Sequence, residues 1–171
     1  MVAADPTYDV MITAAALVDL MVAALHQVGR RGLVSGNWRG WCPDHLPDDV
    51  LFIDDIPHEW LFPRLAGVVH HGGAGTTAAA IRAGLPQLVV PHFSDQGFWG
   101  RRVQELGVGP APVRRRDLTA DGLAAAIDRL TRDEALRGRA AAFGADVRTE
   151  DGVRTGGEAV HHLLAAAPPV D

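Results

Sequence analysis

Apolar residues recur at helical spacing in several stretches of the chain. The first stretch covers residues 14–28 and ends at Gly29, a common helix stop signal. Its apolar face consists of Leu17, Leu20, Met21, Ala24 and Leu25. Similar patterns predict a short helical turn at 58–66, broken by Pro63, and a helix over 76–83, ended by Gly84. A further helix is capped by Ser94 and reaches Gly107, and another is capped by Thr119. Two more helices are predicted near 133–147 and 152–167.

Short apolar runs alternate with these helices and have the character of strands. They cover residues 32–36, 49–54, 67–71 and 86–91. Strands that alternate with helices form parallel sheets covered by helices on both faces. The predicted fold class is therefore α/β, with a Rossmann-like parallel sheet in one domain over residues 1–164 and a frayed tail at 165–171.

Composition narrows the classes of function. The chain has 171 residues, 47% of them hydrophobic, and a net charge of −5, so we expect a globular domain without a nucleic-acid partner. All 16 basic residues are arginines, which excludes chemistry that needs a lysine Schiff base or a P-loop lysine. The single cysteine, Cys42, fits a reducing compartment. With no membrane-length apolar run and no basic leader, we expect a cytoplasmic protein.

The segment His70–Thr77, "HHGGAGTT", joins a predicted strand to a predicted helix. Glycines let a backbone approach a ligand closely, and the N–H groups and dipole of a helix N-terminus attract anions, phosphate above all. Thr76 and Thr77 add hydroxyl groups, and His71 adds a donor that can stabilise charge on a leaving phosphate. The alternative is a tight turn whose glycines serve packing alone, which we consider weaker because these groups converge at one strand end.

A dinucleotide site is a second alternative, since Gly73–Ala78 matches the pattern G-x-G-x-x-A. That site needs the fingerprint on the first strand and an acidic residue after the second strand. Here the glycines lie in the middle of the chain and the next strand ends at His92. We therefore favour a phosphate site over a nicotinamide cofactor site, and we expect no cofactor and no metal.

Asp95 and Gln96 follow the next predicted strand. The carboxyl ends of parallel strands form the edge at which ligands bind, so this pair should lie beside the glycine turn. A carboxylate and an amide there could bind neighbouring hydroxyl groups of a sugar. An acidic residue in the first turn of a helix is also favoured by the helix dipole, and the two interpretations of Asp95 are compatible.

The stretch from Asp54 to Pro110, "DDIPHEWLFPRLAGVVHHGGAGTTAAAIRAGLPQLVVPHFSDQGFWGRRVQELGVGP", resembles the carboxyl-terminal half of UDP-glycosyltransferases of the two-domain GT-B architecture. It is most similar to sterol 3-β-glucosyltransferases and bacterial natural-product glycosyltransferases, and looser matching continues to about Glu158. The resemblance implies a donor site for a UDP-sugar, with UDP-glucose expected. The implied donor-binding residues are Ile56 and His58 at the uracil and ribose, His71, Gly73, Ala74, Gly75, Thr76 and Thr77 at the diphosphate, and Asp95 and Gln96 at the sugar.

The resemblance also implies missing parts. Family members begin this domain with a strand similar to "VYVGFGS", whereas this chain begins "MVAADP", so we expect the first strand and its glycine-serine loop to be absent. The amino-terminal domain, which binds the acceptor and carries the catalytic base of the inverting reaction, is expected to be absent too. No catalytic residue is therefore assigned here. A missing strand would leave an unpaired sheet edge and favour self-association.

Three functional hypotheses remain open at this point. The chain could be a truncated or split glycosyltransferase with little activity alone. It could be the donor subunit of a two-chain enzyme whose partner binds the acceptor. It could also be a non-catalytic module that binds a nucleotide-sugar. Binding of UDP without transfer in the presence of any partner would favour the last of these.

Overall fold

The computed structural model describes residues 10–13, 18–35, 48–54 and 56–166. Its centre is a parallel five-stranded sheet with the order β3-β2-β1-β4-β5. The strands are β1 (Val10–Thr13), β2 (Gly32–Ser35), β3 (Val50–Ile53), β4 (Gly67–His70) and β5 (Gln87–Val89). The order reverses between β1 and β4, and such a switch point opens a crevice at the carboxyl ends of the strands.

Helices connect the strands and continue after the sheet. In the described part of the chain they are α1 (Val18–Val28), α2 (His58–Leu61), α3 (Ala74–Ala83), α4 (Gln96–Glu105), α5 (Ala120–Arg132), α6 (Glu134–Thr149) and α7 (Gly152–Ala166). Pro63 lies in a 3-10 turn that directly follows α2. No helix among these residues is both long and apolar enough to cross a bilayer.

Strands β4 and β5 are buried throughout, as expected for a parallel sheet, whereas Leu51 in the edge strand β3 is exposed. Neighbouring residues of one strand alternate between two apolar clusters, so Val10 and Val69 lie in the first, and Met11 and Val68 in the second. Helices α1 and α5 pack together on the face of the first cluster, while α3 packs against α4 and α6. Helix α5 contributes Leu123, Ile127 and Leu130 to the first cluster, and all three are fully buried.

The α/β class and the parallel Rossmann-like sheet are confirmed, but the expected absence of a strand before the first helix is wrong. Residues Val10–Thr13 form β1, which pairs in parallel with β2 on one side and β4 on the other. The strand thus occupies the centre of the sheet, and the gap proposed above as a self-association surface is filled. The predicted loop after this strand, residues 14–17, lies outside the described residues.

Helix ends agree with the sequence in most places and differ at α4. Gly84 ends α3 with a φ of 69°, and the Gly122 N–H donates to the Thr119 hydroxyl at the start of α5. Ser94 does not cap α4: its φ is 57° and Asp95 is the N-cap residue. The physical reason is the left-handed backbone of Ser94, because an N-cap residue ordinarily has an extended backbone. Of the predicted tail, residues 167–171 lie outside the described part, and α7 includes residues 165 and 166.

Candidate functional site

The predicted site residues come from three loops at the carboxyl ends of the strands. The turn from β4 to α3 carries the glycines, the loop from β5 to α4 carries Asp95, and the segment after β3 carries Ile56 and His58. Helix α2 packs against α3, which brings the third segment towards the other two. The site therefore lies beside the switch point of the sheet, where such folds bind ligands.

Gly72 brings the first two loops together. Its φ is 91°, and a β-carbon there would lie 2.6 Å from the Val89 side chain and 2.9 Å from the carbonyl oxygen of Gln96. Only glycine fits this conformation and this space. The glycine turn consequently lies directly against the first residue of α4.

The N-terminus of α3 is open. Its N-cap residue is Gly73, and no side chain caps the helix. Ala74 and Gly75 are exposed, and a β-carbon on Gly75 would meet no atom within 4 Å. The first N–H groups of a helix have no partner within the helix, so this end presents unsatisfied donors and positive partial charge to solvent. An anion is the ligand that this arrangement favours.

His71 lies over this helix end. Its Nε2 atom is 2.5 Å from the position that a β-carbon on Gly73 would take. The side chain is half-buried, so part of the imidazole remains accessible. His71 and the helix N-terminus are therefore close together, and donation by His71 to the same ligand oxygens stays a prediction.

The neighbouring histidine, His70, is a buried residue that the sequence analysis did not assign to the site. Its Nε2 atom is 2.8 Å from Oε1 of Gln87 in β5, and its Nδ1 atom accepts a hydrogen bond of 3.0 Å from the Gly72 N–H. Burial lowers the pKa of His70 to about 4, against the opposing effect of the Gln87 hydrogen bond, and nearby His71 and His58 lower it further. His70 is therefore neutral at physiological pH.

Thr77 has an internal partner. Its side chain is buried, and its hydroxyl donates to the Gly73 carbonyl oxygen at 2.9 Å. A hydroxyl has one hydrogen to donate, so that of Thr77 is used within the first turn of α3. Thr76, in contrast, is half-buried. Of the two predicted hydroxyl donors, Thr76 is the better placed for a ligand.

Asp95 and Gln96 differ in their surroundings. Asp95 is exposed, and its Oδ2 atom accepts a hydrogen bond of 2.9 Å from the indole Nε1 of Trp99. Gln96 is buried, and its Oε1 accepts from the backbone N–H groups of His92 at 2.7 Å and Phe93 at 3.1 Å. The carboxylate of Asp95 is thus oriented by Trp99, and the amide NH₂ of Gln96 is the end left to donate.

Ile56 and His58 lie at the other side of the turn. Ile56 is partly buried against the cluster that contains Met11 and Val68. The His58 ring stacks on Phe62, with centroids 4.4 Å apart and planes inclined by 17°. A planar ring held in this way is a suitable wall for a flat ligand such as a nucleobase.

The electrostatic surroundings favour an anion rather than a cation. Burial lowers the pKa of His92, and its electrostatic interactions with Arg115 and His71 lower it further. No group of three or more His, Cys, Asp or Glu side chains suited to a metal exists among the described residues. The arrangement can bind a phosphate or diphosphate with an attached polar group near Asp95.

The sequence of this chain is similar to those of known proteins. Residues 39–160 match the family described as erythromycin biosynthesis protein CIII-like, C-terminal domain. A sterol 3-beta-glucosyltransferase of Arabidopsis thaliana is 37% identical over 155 residues, which cover 90% of this chain and 25% of that protein. The O-mycaminosyltylonolide 6-deoxyallosyltransferase of Streptomyces fradiae is 41% identical over 137 residues, covering 80% of this chain and 32% of the relative.

Solved structures agree in fold. The glycosyltransferase VinC in complex with dTDP superposes with a TM-score of 0.76 at 28% identity, covering 90% of this chain and 41% of the other. The calicheamicin glycosyltransferase CalG4 superposes with a TM-score of 0.77 at 23% identity, and the match covers 96% of this chain and 44% of CalG4. The chain spans about a quarter of the length of the plant sterol glucosyltransferase. It belongs to the erythromycin biosynthesis protein CIII-like C-terminal domain family, and its fold is that of the carboxyl-terminal domain of GT-B glycosyltransferases.

Proposed function

We propose that this chain binds a UDP-sugar, with UDP-glucose as the expected donor, for inverting transfer of the hexose to a hydroxyl group of a sterol, another lipid or a natural product. The observation that carries the proposal is the uncapped N-terminus of α3, with His71 over it and Asp95 on the adjacent loop. Glycosyltransferase relatives supply the reaction class.

Each group has a role in this proposal. The N–H groups at Ala74, Gly75 and Thr76 hold the diphosphate, and His71 donates to one of its oxygens. Asp95 accepts from sugar hydroxyls and the Gln96 amide donates to one. These contacts place C1 of the sugar at the open side of the crevice and stabilise the charge that develops on the leaving diphosphate.

The transfer itself is a single displacement. The acceptor oxygen forms a bond to C1 while the bond from C1 to the diphosphate oxygen breaks, and UDP leaves with the electron pair. The acceptor proton passes to a general base. We place that base and the acceptor site in a separate acceptor-binding domain or subunit. The reason is that this chain matches only about a quarter of the plant relative.

Two nucleotides compete for the assignment. The sterol 3-beta-glucosyltransferase relatives support UDP-glucose, whereas the VinC structure contains dTDP. The uracil and thymine bases differ by a methyl group and dTDP lacks the ribose 2′-hydroxyl. We propose that the segment with Ile56 and His58 distinguishes UDP from dTDP by contacts to the base and the ribose.

Calorimetric titration of the chain with UDP, UDP-glucose and dTDP tests the proposal. We expect UDP and UDP-glucose to bind more tightly than dTDP, and EDTA to leave all three affinities unchanged because no metal is involved. Binding of none of the three would overturn the donor-site assignment. Tighter binding of dTDP would keep the site but replace the nucleotide.

The second candidate function is that of a non-catalytic binding module or a donor subunit. The observation that favours it is that the chain matches only 25% of the plant relative. An assay of glucose transfer distinguishes a binding module from a donor subunit when the amino-terminal half of a relative and a sterol acceptor are added to the chain. Glucose transfer that depends on both polypeptides indicates a donor subunit. Donor binding without any transfer indicates a binding module.

A further inference from the structure

We propose that His70 is a positioning residue of this site: it bridges Gln87 to the Gly72 backbone and thereby holds the turn in the shape that receives the diphosphate. The inference rests on the proposed function and adds to it a residue that does not touch the donor. His70 is the last residue of β4 and is 1% exposed, so it acts only through its neighbours.

The hydrogen bonds of His70 determine its tautomer. The Gly72 N–H can only donate, so Nδ1 must be the unprotonated nitrogen of the ring. The ring hydrogen is then on Nε2 and donates to Oε1 of Gln87. The other tautomer would place two N–H groups face to face at Gly72. One neutral tautomer of His70 therefore satisfies both partners.

The bond to Gly72 fixes the peptide between His71 and Gly72. That peptide determines where the His71 side chain leaves the strand and how the backbone enters α3 at Gly73. Gly72 itself is confined between Val89 and the Gln96 carbonyl. Without an acceptor at His70, the buried Gly72 N–H has no partner, and rotation of the peptide would move His71 away from the helix end.

A core selected for stability alone would not need the polar pair formed by His70 and Gln87. The Nε2 atom of Gln87 is buried without a hydrogen-bond partner among the described residues. Leaving a buried donor unsatisfied is costly, whereas two apolar side chains of similar shape would avoid that cost. A polar pair at this position therefore has a further use, and the geometry assigns it to the turn.

Two isosteric variants separate the two halves of the bridge. In His70→Asn the side-chain oxygen can reach the place of Nδ1 and keep the Gly72 bond. In His70→Gln the longer side chain reaches the place of Nε2 and keeps contact with Gln87 only. We expect His70→Asn to bind UDP within about threefold of the parent chain and His70→Gln to bind it about tenfold more weakly. UDP-glucose should follow UDP in each variant, because the sugar end of the site is unchanged.

The measurement is calorimetry with UDP and UDP-glucose at a temperature where thermal melts show each variant folded. Parent-like binding by folded His70→Gln would overturn the proposal, as would an equal loss in both variants. Selective loss of UDP-glucose binding alone would also overturn it, since that result points to the sugar end.

A second measurement needs no variant. Long-range nitrogen–proton NMR spectra of the full chain should show one histidine with a fixed Nε2–H tautomer between pH 5 and 8, and its neighbour Gly72 should have a slowly exchanging amide. An Nδ1–H tautomer, or rapid exchange at Gly72, would overturn the bridge. If the parent chain binds no nucleotide but these NMR results hold, the proposed function fails and the diphosphate role of the bridge fails with it, while the bridge itself stands.

Discussion

The carbonyl oxygen of Gln96 would lie 2.9 Å from a β-carbon on Gly72, so the backbones of these two residues are in direct contact. This contact joins the glycine turn to the start of α4. The groups proposed to hold the diphosphate and those proposed to hold the sugar therefore belong to one rigid site.

Gly72→Ala tests the tightness of this contact. The new methyl group would also be 2.6 Å from the Val89 side chain, and φ is 91°. Positive φ and overpacking together should lower the free energy of unfolding by roughly 2–4 kcal/mol. Urea denaturation measures the change. Gly29→Ala is the matched control: its φ is 61° but nothing lies within 4 Å, so it should lose only about 1 kcal/mol. Equal losses would show that packing against Gln96 contributes nothing.

Gly75→Ala should separate stability from binding. The β-carbon would enter open space in the first turn of α3, and alanine is a better helix residue than glycine by about 1 kcal/mol. The variant should therefore be more stable, yet its methyl group should weaken UDP binding at the helix end about tenfold or more. Gly138→Ala, in open space on α6, should gain stability without any change in affinity. Unchanged UDP affinity in Gly75→Ala would contradict a ligand at this helix end.

His71→Ala should weaken the binding of UDP. The loss of a hydrogen bond to a charged group costs about 1.5–3 kcal/mol, or roughly 10- to 150-fold in the dissociation constant. His161→Ala, in the exposed helix α7, is the control and should bind as the parent chain does. Calorimetry on both variants decides the point. Equal affinities of His71→Ala and the parent chain would remove His71 from the diphosphate site.

Asp95→Asn should affect the sugar more than the nucleotide. The substitution removes the carboxylate that Trp99 orients, so we expect a larger loss of affinity for UDP-glucose than for UDP. Trp99→Phe removes only the indole donor and should give a smaller loss with the same preference. Competition titrations of both ligands measure the ratio. Identical losses for UDP and UDP-glucose in Asp95→Asn would reject its role at the sugar.

Stability should fall in mild acid because of His70. Its pKa is about 4 in the folded chain against an ordinary value of 6.5, so the unfolded chain binds more protons between these values. The free energy of unfolding should therefore decrease as the pH falls from about 6.5 to about 4, by roughly 3 kcal/mol from this residue. The lowered pKa of His92 acts in the same direction.

His70→Asn isolates this effect, because the variant has no titrating group at that position. Urea denaturation at pH 7, 5.5 and 4.5 should show a shallower decline for the variant than for the parent chain. Parallel declines would mean that His70 is protonated as easily in the fold as in the unfolded chain.

Much of the fold could be predicted because it follows from periodicity. Helix ends at Gly84 and Thr119 have local chemical causes, and a sequence shows them directly. The strand β1 was missed because it is a run of only four residues, Val10–Thr13, with no alternation to detect, and because the family resemblance predicts that the first strand is absent. The Ser94 cap was wrong because Ser94 has a positive φ, which an N-cap residue does not ordinarily adopt and which a serine in the sequence does not indicate.

The candidate site, like the fold, could be predicted from the sequence only in part. The sequence correctly places His71 at the helix end, but the pair His70 and His71 looks symmetrical in one dimension. Which ring turns inward depends on the register of β4 with β5, where His70 is opposite Val89 and shares a face with Gln87. Thr77 likewise appears as a ligand donor until the helix start is known. A threonine four residues after a carbonyl readily bonds back to it.

The central position of β1 has a consequence for how the chain folds. The strand must meet β2 nearby in sequence and also β4, whose Gly67 pairs with Val10. The two halves of the sheet can be joined only after that long loop closes, which raises the contact order and slows folding. Until then, β2 with β3 and β4 with β5 would each expose a bare backbone edge, and this interval is when aggregation during refolding is most to be expected.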